Sequence, residues 1–498
     1  MPFVVTYRLR TAADHNCKQH GDGGAAGNYP RGMADVGRFA HHMSDEDALM
    51  WNIEKDPILR STILAVAMFD SVPDWDVLQR RMHRTTRLIP RFRQRVLSPP
   101  MRMGPPRWTV EATFDLDFHL RRMRLSGAGT ERALLDALQP MATSSFDRAR
   151  PLWEFTLIEG LDGERAALAM KVHHSLTDGV GGMDLLAHMI DLARDADEPS
   201  DDGVPAALAP EHLSALDLVR ESAAHTRRRV TGVARRLPGS ALRAATSAVR
   251  HPIGQANEVL RATRSIGRAL APATSPMSPV MLERGLGRRL DCFDVSLDDL
   301  RRAAKAAEGS VNDAFVAAVV GGVQRYHERH GSTPAALRMT LPINLRNTAD
   351  DSGGNRFAPA RFPVPLSITD PVERMQAIRQ LVRGWRAEPA LQMTSTLAGV
   401  LNRLPTTTTT ALFGGMLKCC DFVTSNVPGA PVPVYSGGAR VERLYAFGPP
   451  SGAAFNVTLI SHCETCCIGI VMDTTAVPDP DILVNALRAG FDEVLALA

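Results

Sequence analysis

The residues with the clearest capacity for chemistry are two adjacent histidines, His173 and His174, which open the segment HHSLTDG. An apolar run at 166–172 precedes them and glycines follow, so we expect a strand end to hold the imidazole rings rigidly. A histidine near its ordinary pKa of ~6.5 can take a proton from a hydroxyl group at neutral pH. Gly179 lets the backbone turn tightly, and Asp178 can either orient that turn or pair with an arginine. The pattern alone leaves catalysis, a structural role and half of a metal site open for the pair.

A metal role would require further ligands that converge on one point. The sequence has no HExxH motif, and no carboxylate near the histidine pair is a convincing third ligand. A second group of potential ligands lies near 460–472, where the pattern predicts two strands around a short turn, a setting in which buried thiols are common. We therefore predict no zinc site there. This group and its upstream neighbours are His462, Cys463, Cys466, Cys467, Cys419 and Cys420.

The composition limits the class of protein. The chain has 498 residues, of which 44% are hydrophobic and 22% charged; this suits two to three domains of about 150 residues and excludes disorder throughout. A net charge of +3 argues against a protein that is basic all over, as a general nucleic-acid binder would be. Seven cysteines are too few for a disulfide scaffold, and no apolar run approaches the ~18 residues of a membrane span. The first residues lack the apolar stretch of a signal peptide, so we expect a cytoplasmic protein.

The elements that must position the histidines fall into four segments. Residues 1–42 are partly Gly-rich and lack a hydrophobic period, which predicts a disordered extension. Residues 43–197 and 289–498 alternate strand and helix patterns, which predicts two α/β domains. Residues 198–288 are rich in proline and arginine, which predicts a linker with helical pieces.

Hydrophobic periodicity gives the element boundaries that we expect. Strands are predicted at 61–69, 153–159, 166–172, 290–295 and 337–343, and near 420–426, 440–446, 454–461 and 465–472. Helices are predicted after a cap at Ser44, at 76–96 with a break at Pro90, at 182–194, 297–307, 311–330, 371–385 and 391–402, and from Asp479.

Four motifs, in order along the chain, resemble those of one enzyme family. HHSLTDG matches the HHxxxDG motif of the coenzyme A-dependent acyltransferase superfamily, which includes chloramphenicol acetyltransferase and peptide-synthetase condensation domains. The other three motifs, and the opening segment at 43–57, are similar to the bacterial wax ester synthase/diacylglycerol acyltransferase family, and the resemblance covers about residues 43–498. These three motifs are Pro151-Leu152-Trp153, Asn312-Asp313 and Ser425-Asn426-Val427-Pro428-Gly429.

The resemblance implies both a fold and a mechanism. The implied fold is two chloramphenicol acetyltransferase-like domains, each a mixed sheet with flanking helices, joined by a long helical linker. In the superfamily the second histidine of the motif is the general base, which here is His174. It would deprotonate an acceptor alcohol whose oxygen attacks acyl-CoA, with no acyl-enzyme, metal or cofactor. By the same resemblance Asp178 is structural and paired with an arginine, for which Arg346 is our candidate, and His173 shapes the loop rather than transferring protons.

The remaining motifs have two interpretations each. Asn312 and Asp313 either form the N-cap signature of the helix at 311–330 or provide a polar contact near developing charge. The motif at 151–153 is expected to pack at the domain interface rather than to take part in chemistry. The motif at 425–429 is expected to turn the chain beside an acyl channel, with direct ligand contact as the alternative.

An arginine-rich segment lies within the expected linker. Residues 217–268 carry eleven arginines against three acidic residues. The segment is either a solvated linker or a surface that attracts anionic lipid headgroups. Nucleic-acid binding is disfavoured because no aromatic residues lie between the arginines. The lipid interpretation would place the protein peripherally on the inner membrane face or on lipid inclusions.

These observations together predict an O-acyltransferase that moves a long-chain acyl group from acyl-CoA to diacylglycerol. Wax ester formation from long-chain alcohols is expected in the same site. Two alternatives remain at this level, namely acyl transfer to another acceptor, as in condensation domains, and a homologue that binds lipid without catalysis. The intact HHxxxDG motif argues against a homologue without catalysis.

Overall fold

The computed structural model describes most of the chain after residue 40, in the ranges 41–100, 104–176, 182, 186–197, 199–228, 231, 275–344, 357–386, 388, 398–399 and 401–498. Nearly all of the expected extension at 1–42 therefore lies outside the described residues. So do Asp178, Gly179 and Arg346, and with them the predicted ion pair of Asp178. Most of the arginine-rich segment and of the helix expected at 391–402 is likewise outside.

Helices form where apolar residues recur at helical spacing after a polar cap. Ser44, Asp74, Thr130 and Ser296 each accept a hydrogen bond from a backbone N–H in the first turn of the helix that follows. The helices are α1 (Asp45–Ile53), α2 (Trp75–Leu88), α3 (Leu116–His119), α4 (Glu131–Thr143), α5 (Leu297–Ala306), α6 (Val311–Arg329), α7 (Pro371–Arg386), α8 (Thr406–Thr409), α9 (Gly415–Lys418) and α10 (Pro480–Leu495), with a π-helical turn at Thr410–Gly414 and a further helical run at 215–228. Across the described ranges, no helix combines the length and apolarity needed to span a membrane.

Two six-stranded mixed sheets form the core. The first has the order β11-β12-β1-β6-β5-β4 and the second the order β7-β14-β13-β10-β8-β9, while β2 and β3 form a separate hairpin. The strands are β1 (Thr62–Phe69), β2 (Gln94–Leu97), β3 (Arg107–Val110), β4 (Leu120–Arg124), β5 (Trp153–Glu159), β6 (Ala166–His173), β7 (Arg288–Ser296), β8 (Ala336–Asn344), β9 (Phe357–Pro365), β10 (Phe422–Pro428), β11 (Tyr435–Ser436), β12 (Ala439–Phe447), β13 (Phe455–His462) and β14 (Thr465–Asp473). The expectation of two mixed sheets with flanking helices is confirmed.

The strand that carries the histidine motif lies inside the first sheet. All eight residues of β6 are buried, which explains its nearly continuous apolar sequence. On one side β6 pairs antiparallel with β1, where His173 is opposite Thr62, and on the other side it pairs antiparallel with β5. A histidine at the end of such a strand cannot move without disturbing two strand ladders.

The two sheets are joined by β12, a strand from the second half of the chain that belongs to the first sheet. β12 pairs antiparallel with β1 of the first sheet, with Phe447 opposite Leu64. It also lies close to β14 of the second sheet, since a Cβ on Gly469 would be 2.2 Å from the Ala446 carbonyl oxygen. The first sheet is therefore completed by residues from the carboxy-terminal half.

Two predicted helices are wrong in part. The helix expected at 76–96 ends at Leu88, and Gln94–Leu97 is strand β2 because Pro90 starts a 3-10 turn and the chain then pairs with β3. The helix expected at 182–194 does not continue beyond 186, and residues 187–189 form a turn. There Asp191 exchanges two backbone hydrogen bonds with Tyr435, at 2.7 and 2.9 Å, which an unbroken helix could not make.

The beginning of the expected linker is docked onto the first half of the chain. Leu218, in the helical run 215–228, is buried. Arg107 at the start of β3 forms ion pairs with Glu221 at 2.7 Å and with Glu211 at 2.6 Å. The beginning of the arginine-rich segment, at Leu218 and Glu221, is therefore in contact with the folded chain rather than fully solvated.

Candidate active site

The backbone of the histidine pair is clamped from both neighbouring strands. The His173 N–H donates to the Leu152 carbonyl at 3.0 Å, and the His174 N–H donates to the Ser61 carbonyl at 2.8 Å. The His173 carbonyl in turn accepts from the N–H of Leu176 at 2.9 Å, which closes a tight turn directly after β6. These three bonds fix the position of both imidazoles relative to the first sheet.

The His173 ring is enclosed and has a polar neighbour at each nitrogen. Its side chain is 1% exposed, and the rings of Trp51 and Phe146 pack edge-on against it. The Ser175 N–H donates to Nδ1 at 3.0 Å, so Nδ1 is an acceptor and the ring proton belongs on Nε2. Nε2 lies 3.0 Å from Oε1 of Glu54. This environment orients the His173 ring and leaves it no access to a substrate.

Glu54 is a site residue that sequence analysis did not identify. Its Oε1 accepts the Ser61 N–H at 2.6 Å as well as facing His173. Burial raises the pKa of this carboxyl, but His173, the Ser61 N–H and the charge of Arg148 outweigh burial and hold the pKa below its ordinary value. The ionised carboxylate therefore links the ring of His173 to the residue that holds the backbone of His174. Its only signal in the sequence was its place in the segment 43–57.

His174 has a different environment from its neighbour. It is the first residue after β6 and is partly exposed, whereas His173 is buried. His174 is thus the more exposed residue of the pair. A base must reach the proton that it removes, so this difference in exposure bears on which of the two residues could serve as a base.

A buried lysine lies two residues before the pair. Lys171 donates to the Ser144 hydroxyl at 2.9 Å, lies 3.6 Å from Glu154 and stacks over the ring of Phe146. Burial lowers the pKa of Lys171, while Glu154 partly offsets this effect. Because Phe146 contacts both Lys171 and His173, the lysine supports the same enclosed wall of the site.

The motif at 151–153 is buried next to the histidine strand. Trp153 is fully buried, its indole N–H donates to the Phe92 carbonyl at 2.9 Å, and its ring stacks on His119. These two partners belong to the amino-terminal half, but the apolar cluster that contains Leu152 and Trp153 also includes Val427 and Ile460 of the carboxy-terminal half, so packing at the domain interface stays a prediction. Leu152 has the more direct link to the site through its carbonyl bond to His173.

The motif at 312–313 lies in the first turn of α6. Ser310 is the N-cap, and Asp313 accepts from both the N–H and the hydroxyl of Ser310, each at 2.8 Å. Asp313 thus completes a capping box. Among the described residues, the side-chain hydrogen bonds of Asp313 go to Ser310 and do not reach the histidine pair, and a site role for Asn312 stays a prediction.

The motif at 425–429 forms the end of a central strand. β10 pairs in parallel with β13 up to Pro428, after which the chain leaves the sheet. A Cβ on Gly429 would lie 2.2 Å from the Ser461 carbonyl oxygen, so glycine permits this close crossing. Val427 and Ile460 point into the core of the first sheet, which places this motif where the two sheets meet.

The thiol-rich segment near the carboxy terminus forms adjacent strands. His462 is buried and both of its ring nitrogens face backbone carbonyls, those of Ala430 and Val441. Cys466 and Cys467 lie in β14, where burial raises the pKa of each thiol to about 12. Within the described ranges, no three potential ligands converge in a way that could hold a metal ion.

Comparison with known proteins identifies the family. The family model for the wax ester synthase/diacylglycerol acyltransferase catalytic domain matches residues 43–315, and the model for the WS/DGAT C-terminal domain matches residues 353–494. Among relatives, Rv2484c of Mycobacterium tuberculosis, named as a diacylglycerol O-acyltransferase, is 38% identical over 469 residues and covers 94% of each chain. Rv3087 of the same species carries the same activity in its name and is 29% identical, covering 91% of this chain and 96% of its own.

Solved structures support the same fold. The wax ester synthase/diacylglycerol acyltransferase from Marinobacter aquaeolei VT8 superposes with a TM-score of 0.60 at 22% identity, covering 91% of this chain and 98% of that one. The first condensation domain of the CDA synthetase gives a TM-score of 0.61 at 16% identity, covering 92% and 96%. Matches to both family models, spread over nearly all of residues 43–494, and the 38% identical relative show that the chain belongs to the wax ester synthase/diacylglycerol acyltransferase family.

Proposed function

We propose that the chain transfers a long-chain acyl group from acyl-CoA to diacylglycerol, giving triacylglycerol, with wax esters from long-chain alcohols as a second product. The observation that carries the proposal is the partly exposed His174, held on a clamped turn at the end of β6 in a chain of this family. Relatives named as diacylglycerol O-acyltransferases support the choice of acceptor.

In the proposed mechanism His174 is the general base. Its imidazole takes the hydroxyl proton of the acceptor as the acceptor oxygen attacks the thioester carbonyl carbon. A new C–O bond forms, and the tetrahedral intermediate collapses as the C–S bond breaks. The coenzyme A thiolate leaves and receives the proton from His174, so that the base is regenerated. These steps need no acyl-enzyme, and no metal or cofactor enters the proton balance.

The surroundings of His174 support this role through orientation. Ser61 holds the backbone of His174, and Glu54 holds Ser61 and His173 together, so the base is placed before the acceptor arrives. Such preorganisation lowers the entropy lost on reaching the transition state. His173 and Glu54 are positioning residues in this proposal, and Asp178 is expected to orient the other end of the turn.

A mostly apolar crevice of about 40 Å³ lies against the first sheet. It is lined by side chains from β1, β6 and β12, among them Phe69, Met170 and Leu444, and is bordered by Met189 after the histidine motif. We propose that this crevice widens to take part of an acyl chain when Met189 and its neighbours move. Membrane contact through the arginine-rich segment belongs to the same proposal, because the acceptor is insoluble in water.

The deciding experiment is His174→Ala, assayed by thiol release from palmitoyl-CoA with diolein. Loss of a general base should lower kcat by about 10²- to 10⁴-fold while the melting temperature stays near that of the parent protein. His83→Ala is the matched control, because His83 is an exposed histidine on α2. If His174→Ala keeps kcat within tenfold of the parent protein, the general-base assignment is wrong. If the parent protein itself releases no thiol, the chain is a lipid binder instead.

A further inference from the structure

One leucine side chain of the amino-terminal half is enclosed by two glycines of the carboxy-terminal half. Leu59, the last residue of the 3-10 turn Pro57–Leu59, is fully buried. A Cβ on Gly414 would lie 2.5 Å from its Cδ1 atom, and a Cβ on Gly452 would lie 3.1 Å from its Cδ2 atom. Both methyl groups of Leu59 therefore lie against glycine backbone, and we call this enclosure of Leu59 by Gly414 and Gly452 the Leu59 socket.

The backbone conformation explains only one of the two glycines. Gly452 has a φ of 91°, a value that side-chain-bearing residues rarely adopt. Gly414 has ordinary helical dihedrals (φ −65°, ψ −38°), and at such a position alanine is normally more favourable than glycine. Gly414 ends the π-helical turn Thr410–Gly414, and turns of this kind occur often at functional sites. The close contact with Leu59 is therefore what accounts for glycine at 414.

The socket lies next to the residue that holds the candidate base. Leu59 is two residues before Ser61, whose carbonyl accepts the His174 N–H at 2.8 Å and whose N–H donates to Glu54 at 2.6 Å. Arg60 between them has an extended backbone (φ −56°, ψ 136°), so the short connection has no loop that could absorb a shift. A displacement of Leu59 would therefore move Ser61 and disturb its bond to His174.

The apolar cluster around Leu59 also supports the other neighbour of the histidine pair. Leu49 and Ile53 of α1 belong to this cluster, and α1 carries Trp51 and is followed directly by Glu54. Both segments that contact the histidine pair from this side thus rest on one apolar cluster. Residues of the carboxy-terminal half complete it, namely Ala398, Leu401, Phe413 and Leu417.

Polar contacts fix the same segments to one another. Nζ of Lys418 lies 2.5 Å from Oδ2 of Asp56, which precedes the turn of Leu59. The Asn52 amide of α1 donates to the side-chain oxygen of Asn402 at 3.1 Å, and the Asn402 amide donates to the Asp45 carbonyl at 2.7 Å. Residues 402–418 are therefore attached to α1 and to the turn at 57–59 at several points, which makes them a firm support for Leu59.

We propose that the Leu59 socket positions the candidate base, with Gly414 setting the place of Ser61 and, through Ser61, that of the His174 backbone. The inference rests on the proposed function, because the accurate placement of His174 affects the rate only if His174 acts on the substrate. Gly414 is a positioning residue in this proposal, since it acts through Leu59 and Ser61. The carboxy-terminal half thus contributes to the geometry of a histidine that belongs to the amino-terminal half.

The test changes both sides of the socket in the full chain. Gly414→Ala places a methyl group against Cδ1 of Leu59, and Leu59→Val shortens that side chain by one carbon, so the double variant keeps the volume of the socket nearly constant. Gly415→Ala is the matched control, because Gly415 is also helical and a Cβ on it would meet no atom within 4 Å. Leu300→Val changes an equally buried leucine of α5 and controls for lost packing alone.

Two measurements report on the base separately. Thiol release from palmitoyl-CoA with diolein gives kcat and KM, and hydrogen–deuterium exchange at the His174 N–H reports its bond to Ser61 without any turnover. We expect Gly414→Ala to lower kcat and to speed this exchange by about tenfold each, with KM for diolein within about twofold. The double variant should return both to within about threefold of the parent protein. Gly415→Ala and Leu300→Val should match the parent protein in both, even where Leu300→Val lowers the melting temperature.

Two results would overturn the proposal. The first is exchange at the His174 N–H that Gly414→Ala leaves unchanged, and the second is a loss of kcat that Leu59→Val does not recover. If Gly414→Ala does not fold, the single variants decide: Leu59→Val must show faster exchange at this N–H and lower kcat than Leu300→Val, and equal values overturn the proposal. If the parent protein releases no thiol while the socket variants still speed the exchange, the proposed function has failed but the placement of His174 by the socket is supported.

Discussion

Two neighbouring histidines have opposite environments because β6 ends between them. His173 is the last residue of the strand, and its ring is buried against Trp51 and Phe146 with Glu54 as partner. His174 is the first residue of the turn and is partly exposed. The strand end thus separates an enclosed histidine from a partly exposed one. This difference, more than the presence of two imidazoles, supports His174 as the base.

Glu54→Gln should lower kcat for acyl transfer by about ten- to a hundredfold and leave KM for the acceptor within about twofold. The amide loses the charge that orients the His173 ring, and a misplaced base can cost about 10²-fold in rate. Steady-state kinetics with diolein and palmitoyl-CoA check this split. Glu442→Gln is the control, because Glu442 is an exposed carboxylate of β12 and is remote from the pair. A Glu54→Gln variant with the parent kcat would remove Glu54 from the positioning role.

The same carboxylate should contribute to stability in a pH-dependent way. The pKa of Glu54 is lower in the folded protein than its ordinary value of 4.5. The stabilisation is therefore complete above about pH 5 and is lost as the pH falls through the folded pKa. The melting temperature of the parent protein should exceed that of Glu54→Gln at pH 7, and the gap should shrink by pH 4. A gap that does not change with pH would contradict the ionised state of this carboxylate.

At the residue scale, sequence analysis identified site residues that are contiguous in the chain and missed those that reach the site from distant positions. The histidine pair was recognisable because a strand pattern, two imidazoles and glycines follow one another directly. Glu54 and Ser61 reach the pair only through the antiparallel pairing of β1 with β6, and no spacing along the chain reveals that contact. Long-range partners of this kind follow from strand order, which periodicity does not provide.

Elements were predicted well where burial alone determines their pattern. β5 and β6, and the long helix α6, have apolar runs that match their observed bounds closely. β2 was missed because a strand of four residues depends on its partner β3 more than on its own sequence. The helix expected after the histidine motif was too long because Asp191 pairs with Tyr435, a residue far along the chain. Short elements and elements paired with distant parts of the chain were thus predicted poorly, and the proline-rich β9 was not predicted at all.

Two variants at the start of α6 distinguish a structural role of the motif at 312–313 from a functional role. Ser310→Ala removes the N-cap hydroxyl of the capping box and should lower the free energy of unfolding by about 1 kcal/mol without changing kcat or KM. Asn312→Ala leaves the capping box intact, so it should not change stability measurably. If Asn312 contributes to the site, that variant should lower kcat at constant melting temperature. Parent-like kinetics for Asn312→Ala would leave the motif with its capping role alone.

At the scale of the whole molecule, the two halves are joined more closely than the linear order indicates. β12 of the second half pairs along β1, and Arg132 of α4 donates to the Leu290 carbonyl of β7 at 3.0 Å. The predicted division into 43–197 and 289–498 describes the order of the elements along the chain, but it does not predict that a strand of the second half joins the first sheet. The histidine pair lies two strands from β12, so the second half of the chain supports the sheet on which the candidate base is built.

This interlocking predicts that the halves stay together when the chain between them is cut. A protease site inserted between residues 250 and 251 would divide the chain within the arginine-rich segment. Without β12 the edge of β1 would lose its partner, and an unpaired buried edge is unfavourable, so the fragments should remain bound. After cleavage the two fragments should co-elute from a size-exclusion column at micromolar concentration and retain triacylglycerol synthesis. Concentrated urea should separate them. The uncut parent protein is the reference. If the fragments elute separately without denaturant, β12 contributes little to holding the two halves together. Assembly of the active site would then depend on the linker.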